Sequence, residues 1–343
     1  MKKILFVLIA AFAVSFSFLN LNSCSSSTAA NTVVHDTVFQ HFWDPEQSGV
    51  SAFLIAVRFP SLQIGTAVGA GGTVIRTTDG GSTWASQISG EGADLYAVSF
   101  SDINTGIAVG SSGVVIKTTD GGATWIPLTV DITVQFRNVQ MVGSQVAYVI
   151  GARYFSVDNT QGYVYKTTDG GLTWNPLTVN SAPGLFGISF VDALNGWVSG
   201  HQGTIFHTTD GGASWTKQNS TIAANQQVAQ IAFADLKHGI AVGPNGVAGV
   251  PDVPSAGFIA TTSDGGVTWT KVDTKPLTGL WMPDVNHAVA VGYNGTVMET
   301  ADGGATWNTK TVGSLRLQNV YMNDQNNGAM VGENGKVYIV GAH

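Results

Sequence analysis

The sequence predicts an all-β fold: a seven-bladed β-propeller with Asp-box repeats, its ring closed by an N-terminal strand. Three observations carry that prediction. The segment Thr-x-Asp-Gly-Gly-x-Thr/Ser-Trp occurs six times, with its Asp at positions 79, 120, 169, 210, 264 and 302. Three short β-rich runs precede each copy and another follows it. Four strands in a unit of roughly 40–45 residues is the period of a propeller blade. The composition agrees, with 43 Gly in 343 residues and only 11% charged side chains. Ordinary soluble chains hold about 7% Gly and about 25% charged residues.

That composition also excludes several classes. A helical bundle or coiled coil needs many more Glu, Lys and Arg. A disordered chain holds fewer apolar residues than the 44% found here. A nucleic-acid binder shows a basic footprint, whereas the net charge is −7 and the pI about 5.3.

Residues 1–23 read as an export signal. Lys2 and Lys3 give a positive start, and Ile4 to Leu21 is almost wholly apolar. The stretch Leu21-Asn22-Ser23-Cys24 resembles the bacterial lipobox, although Asn22 departs from the residues usual there. Cys24 is then the lipid attachment point and residues 24–34 a short polar tether. An uncleaved membrane anchor or ordinary signal cleavage is the alternative. Cys24 is also the single Cys, so no intramolecular disulfide is available. The expected location is a membrane-anchored lipoprotein facing the periplasm or the cell exterior.

Residues 35–343 read as one closed toroid. Unit two shows the grammar: Ala97–Asp102, then Gly106–Gly110, then Gly113–Lys117, separated by turn residues. First-strand motifs begin near Ala56, Ala97, Asn138, Gly187, Gln230, Gly279 and Asn319, which makes seven. The seventh unit stops after Val340 without a box or fourth strand. The spare run Thr37–Trp43 is expected to supply that strand and remove the open edge.

Each box reads as a structural turn. Its Asp accepts hydrogen bonds from turn N–H groups, the Gly pair takes positive φ, and the Trp packs within and between blades. One carboxylate per box is too few for calcium, which takes several oxygen ligands. No metal or cofactor is expected.

The boxes resemble the BNR or Asp-box repeats of sialidases and sortilin-type receptors. The fuller unit, A-V-x-F-x-D, G-x-A-V-G and G-x-V-x-x-T-T-D-G-G-x-T-W, looks most like the photosystem II stability/assembly factor family. That resemblance covers nearly the whole mature chain. It implies a non-enzymatic, membrane-associated chaperone for a membrane protein complex. It also implies an arginine-rich patch, yet the five Arg here (58, 76, 137, 153 and 316) are scattered over several repeats.

A glycoside hydrolase is the enzyme alternative, either sialidase-like or reduced to a glycan binder. Arg58-Phe59-Pro60 faintly resembles a sialidase arginine motif, but Arg58 is in register with Ser99, Gln140, Ser189 and Ala232 and reads as an ordinary repeat position. Only four Glu occur, and six of the Asp lie in boxes. Five more Asp follow first strands, in turns expected on the same face as the boxes. No spacing identifies a carboxylate pair of the kind a glycosidase uses.

Insertions point instead to the face opposite the boxes. The loop between second and third strands expands in unit three (Gly151–Gln161) and unit five (Gly243–Gly257). Arg153, Tyr154 and Phe155 are interface-prone residue types. Tyr96, Arg137 and Gln318, with Phe186, recur just before first strands and are expected to ring the mouth of that face. His201 and Tyr293 sit in its short loops. The expected function is therefore a non-enzymatic envelope lipoprotein that binds a protein partner and serves as an assembly or stability platform for a membrane protein complex.

Overall fold

The computed structural model describes residues 43–154, 160–245, 254–324 and 326–340. They form seven four-stranded antiparallel sheets, the blades of a propeller. Six blades are continuous in sequence, starting with strands Leu54–Arg58, Gly65–Gly69, Val74–Thr77 and Ala85–Gln87. Second strands such as Gly65–Gly69, Gly106–Gly110 and Ala288–Gly292 are buried at every position. A strand covered on both sides loses the polar alternation of a half-exposed one, which is why these runs read Gly-x-Ala-Val-Gly. Outer strands such as Ala85–Gln87 and Thr216–Lys217 are short and mostly exposed.

Ring closure comes from the N-terminus, but the strand differs from the one expected. The seventh blade takes Asp44–Gln47 as its outer strand, antiparallel to Lys336–Val340, with Asp44 opposite Ile339 and Gln47 opposite Lys336. Residues 37–42 of the expected Thr37–Trp43 run lie outside the described residues. Trp43 precedes the strand and is buried in the core of the last blade. Outer strands face solvent, so the apolar signal in the sequence fell just short of the segment that pairs. Pro45 is tolerated there because an edge strand needs fewer ladder donors.

Every Asp box folds by the same hydrogen bonds. In the first, Thr83 donates its N–H and Oγ1 to the Asp79 carboxylate, at 2.9 and 2.6 Å. Thr77 Oγ1 donates to Asp79 Oδ1 at 2.7 Å and accepts the Gly81 N–H at 2.9 Å. The buried leading Thr is thus the bridge between carboxylate and turn, a role the sequence reading had not given it. These bonds hold the Asp79 carboxyl down to about 2, with the Thr83 hydroxyl the largest cause. Gly81 has φ +101°, and a Cβ there would stand 2.5 Å from Ile339 of the neighbouring blade. The box Trp packs edge-on against the aromatic that ends its own inner strand, as in Trp84–Phe59 and Trp125–Phe100.

In the six blades that carry an Asp box, the first turn and the box share a face and are bonded together. The Gly80 N–H donates to Gln63 O, and Gly121 to Asn104 O, both at 2.9 Å. Asp102, Asp192, Asp235, Asp284 and Asp324 each accept backbone N–H groups within those first turns. The mouth of the channel on the opposite face is left to the loops between second and third strands.

Candidate functional site

The mouth is built by a repeated defect. Six of the seven inner strands carry a one-residue register shift near their start: Leu54/Ala56, Leu95/Ala97, Phe136/Asn138, Leu185/Gly187, Leu277/Gly279 and Leu317/Asn319. A bulge re-aims one side chain and bends the strand. The bulged residues are Ile55, Tyr96, Arg137, Phe186, Thr278 and Gln318. The positions singled out before the first strands are therefore bulge positions.

Arg137 is the centre of one cluster. Its guanidinium lies 4.5 Å from the Tyr96 ring, 5.5 Å from Tyr154 and 5.7 Å from Phe186. It donates to the Tyr154 hydroxyl and to Gln135 Oε1, each at 3.0 Å. His201 is buried edge-on to Phe186, with ring centroids 4.7 Å apart. Burial, and then the nearby Arg137 charge, push its imidazole below the usual histidine range. Three blades thus contribute to one cation–aromatic group.

The unit-three insertion is less of a loop than its composition suggested. Strands Ala147–Tyr154 and Thr160–Thr167 pair along their full length, up to Tyr154 opposite Thr160. Successive strand residues point to opposite faces. Tyr154 accordingly turns to Arg137, whereas Arg153 turns away to Asp131, Thr133 and the Tyr163 ring at 5.0 Å. Tyr165 donates to the same Asp131 at 2.7 Å. Phe155 lies outside the described residues, as does Cys24.

Tyr293 belongs to a second cluster. Arg316 stacks over its ring at 4.5 Å and lies 5.7 Å from Phe53, while the Arg316 N–H donates to the Glu333 carboxylate at 3.1 Å. Gln318 is nearby in sequence, with its Oε1 buried and unpartnered among the described residues. Phe53 and Arg316 were not singled out from sequence. The available signal was their shared place two residues before a bulge.

At the other end of the channel, Arg58, Ser99, Gln140, Ser189, Ala232, Trp281 and Tyr321 line one cavity of about 240 Å³. The register read from the sequence is thus a ring in space. No Asp or Glu is among the described residues that line it.

The fold and this mouth define a class: Asp-box propellers that display loops and bulge residues on the face away from the boxes. Within that class, the chain belongs to the photosynthesis system II assembly factor YCF48 family, whose model matches residues 35–185 and 172–279. Among solved structures it is similar to one described as YCF48 bound to D1 peptide, with 20% identity and a TM-score of 0.69 over 90% of this chain and 99% of that one. YCF48 from Cyanidioschyzon merolae gives 18% identity and 0.66, over 87% of this chain and 98% of that one. The Niastella koreensis GH74 enzyme gives 16% and 0.67, over 86% of this chain but only 53% of that one. At these identities the structural likeness shows the fold alone. No curated protein sequence matches the chain.

Proposed function

We propose that the protein is a non-enzymatic binding platform that supports assembly or stability of a membrane protein complex in the cell envelope. The observation that carries this reading is the Arg137 cluster, where an Arg and three aromatic rings from separate elements meet at the mouth. Arg, Tyr and Trp dominate the energetics of protein interfaces, and they do so in packed central positions. Family membership supports a protein partner, and the YCF48 structure described with a D1 peptide is consistent with one.

Lipid attachment at Cys24 completes the proposal. Two acyl signals are needed for stable anchoring, because a single chain binds only marginally. The outer strand begins with Asp44, paired to Ile339 near the Asp-box end, so the chain joins the ring on the side away from the mouth. Replacement of Cys24 by Ser should move the protein from the membrane to the soluble fraction.

The direct test is affinity purification of the tagged full-length protein from detergent-solubilised envelope, with and without Arg137→Ala plus Tyr154→Ala. A stoichiometric membrane protein that disappears with the double variant supports the platform reading. Retention of polysaccharide in place of a protein would favour glycan binding. Loss of neither protein nor glycan in the double variant would remove the mouth as the binding face.

A further inference from the structure

The inner strands present their free edges to the channel, and most of the ring at its Asp-box end serves to cover them. Ser99 Oγ accepts the Met141 N–H at 3.0 Å, and Ser189 Oγ accepts the Phe233 N–H at 3.0 Å. Gln140 accepts the Phe190 N–H at 2.7 Å and donates to Phe190 O at 2.9 Å. Trp281 Nε1 donates to Met322 O at 2.7 Å. Each of these contacts stitches one blade to the next.

Arg58 occupies the same position and behaves differently. Its Nη1 donates to two neutral oxygens, Val57 O at 2.8 Å and Asn319 Oδ1 at 3.1 Å. Its guanidinium lies 5.0 Å from the Trp281 ring and 5.4 Å from Tyr321. Among the described residues no carboxylate pairs with it, and the cavity lining holds none. Among the described residues its Nε and Nη2 groups have no hydrogen-bond acceptor, and Arg58 lines the cavity. Burial pulls its ionisation down to about 10, the direction expected of a cation short of a counter-charge. A Gln would serve the Asn319 contact without placing an uncompensated charge there.

We propose that the Asp-box end of the central channel is a binding site for a small monocarboxylate, held by Arg58 beside Trp281 and Tyr321. The planar guanidinium fork matches a carboxylate with two parallel hydrogen bonds. One cation is matched by one negative charge, and a dianion would leave a buried charge unpaired. The cavity of about 240 Å³ has room for a short organic acid beside Arg58. The site is at the opposite end of the channel from the mouth and stands independently of the partner-binding proposal.

The experiment is calorimetric titration of the intact protein with sodium acetate and sodium benzoate at constant ionic strength, using acetamide as the neutral control. The expected result is saturable binding of a carboxylate but not of acetamide. Arg58→Gln should weaken it by at least about tenfold, and Arg58→Lys less, since an ammonium keeps the charge and loses the fork. Amide and indole NMR of the unmutated protein gives a second reading should Arg58→Gln fail to fold. There the Trp281 indole N–H and Arg58 Nε–H resonances should move first on adding acetate. No saturable binding, equal binding by Arg58→Gln, or preference for sulfate over acetate would overturn the proposal.

Discussion

Trp43 donates its indole N–H to the carboxylate of Glu299 at 3.0 Å, across 256 residues of chain. Glu299 is 1% exposed and also pairs with Lys310 at 3.0 Å. The contact fastens the start of the closing segment to blade six, beside the seam where the ring joins. Lys310 is 28% exposed, so Glu299→Ala leaves a partly solvated cation. It should cost less than the about 3–5 kcal/mol of a fully buried pair, but it removes both the ion pair and the Trp43 acceptor. Trp43→Phe, which removes only the indole donor, should cost about 1–3 kcal/mol. Glu299→Ala should therefore lower the urea midpoint more than Trp43→Phe does. An unchanged midpoint in both variants would remove the contact from any account of closure.

Acid should unfold the protein over a defined window. The carboxyls of Asp79, Asp120, Asp169, Asp210 and Asp264 are each held at about 2, first by the hydroxyl of the Thr or Ser four residues on. An unfolded Asp titrates near 3.9. A folded value below the unfolded one gives stability that is present above the unfolded value and is lost as pH falls toward the folded one. The melting temperature should therefore hold from neutrality to about pH 4 and fall between about pH 4 and 2. A flat profile through that interval would contradict the box hydrogen bonds.

The leading Thr of a box should matter although it carries no charge. Thr167 is fully buried, donates to Asp169 Oδ1 at 2.7 Å and accepts the Gly171 N–H at 2.8 Å. Thr167→Val keeps the shape and strands that buried N–H, at a cost of about 1–3 kcal/mol. Thr167→Ser, which retains the hydroxyl, should cost less. Denaturant unfolding of the two variants gives the comparison, and equal losses would assign the effect to packing.

His201 reports on the mouth. Burial and the Arg137 charge both lower its ionisation. Its NMR titration midpoint should lie below the ordinary histidine value of about 6.5. Arg137→Gln should move that midpoint upward by removing the like charge. An unmoved midpoint would separate His201 from the Arg137 cluster.

Much of the fold was legible because the boxes are local. Thr167, Asp169, Gly170, Gly171 and Trp174 lie within eight residues, and their turn recurs wherever the pattern recurs. Second strands such as Gly106–Gly110 were equally plain, since complete burial selects small and β-branched residues. The closing strand was placed a few residues early because Asp44–Gln47 is largely exposed and carries no apolar pattern. The site was less legible. Tyr96, Arg137 and Phe186 could be aligned, but nothing in their spacing shows that three rings converge on one guanidinium.

The sequence by itself determined the class of fold, the count of seven blades and the turn at each box. Those properties follow from short-range patterns repeated along the chain. Only the tertiary structure decided that Arg153 and Tyr154 part to opposite sides of a hairpin. It also decided that Arg316 joins Tyr293 and Phe53, and that Arg58 meets Trp281 and Tyr321 inside the channel. For the Phe53 and Arg58 contacts the reason is geometric: ring closure brings the first blade against the last, and residues more than 200 positions apart become neighbours whose contacts no local period encodes.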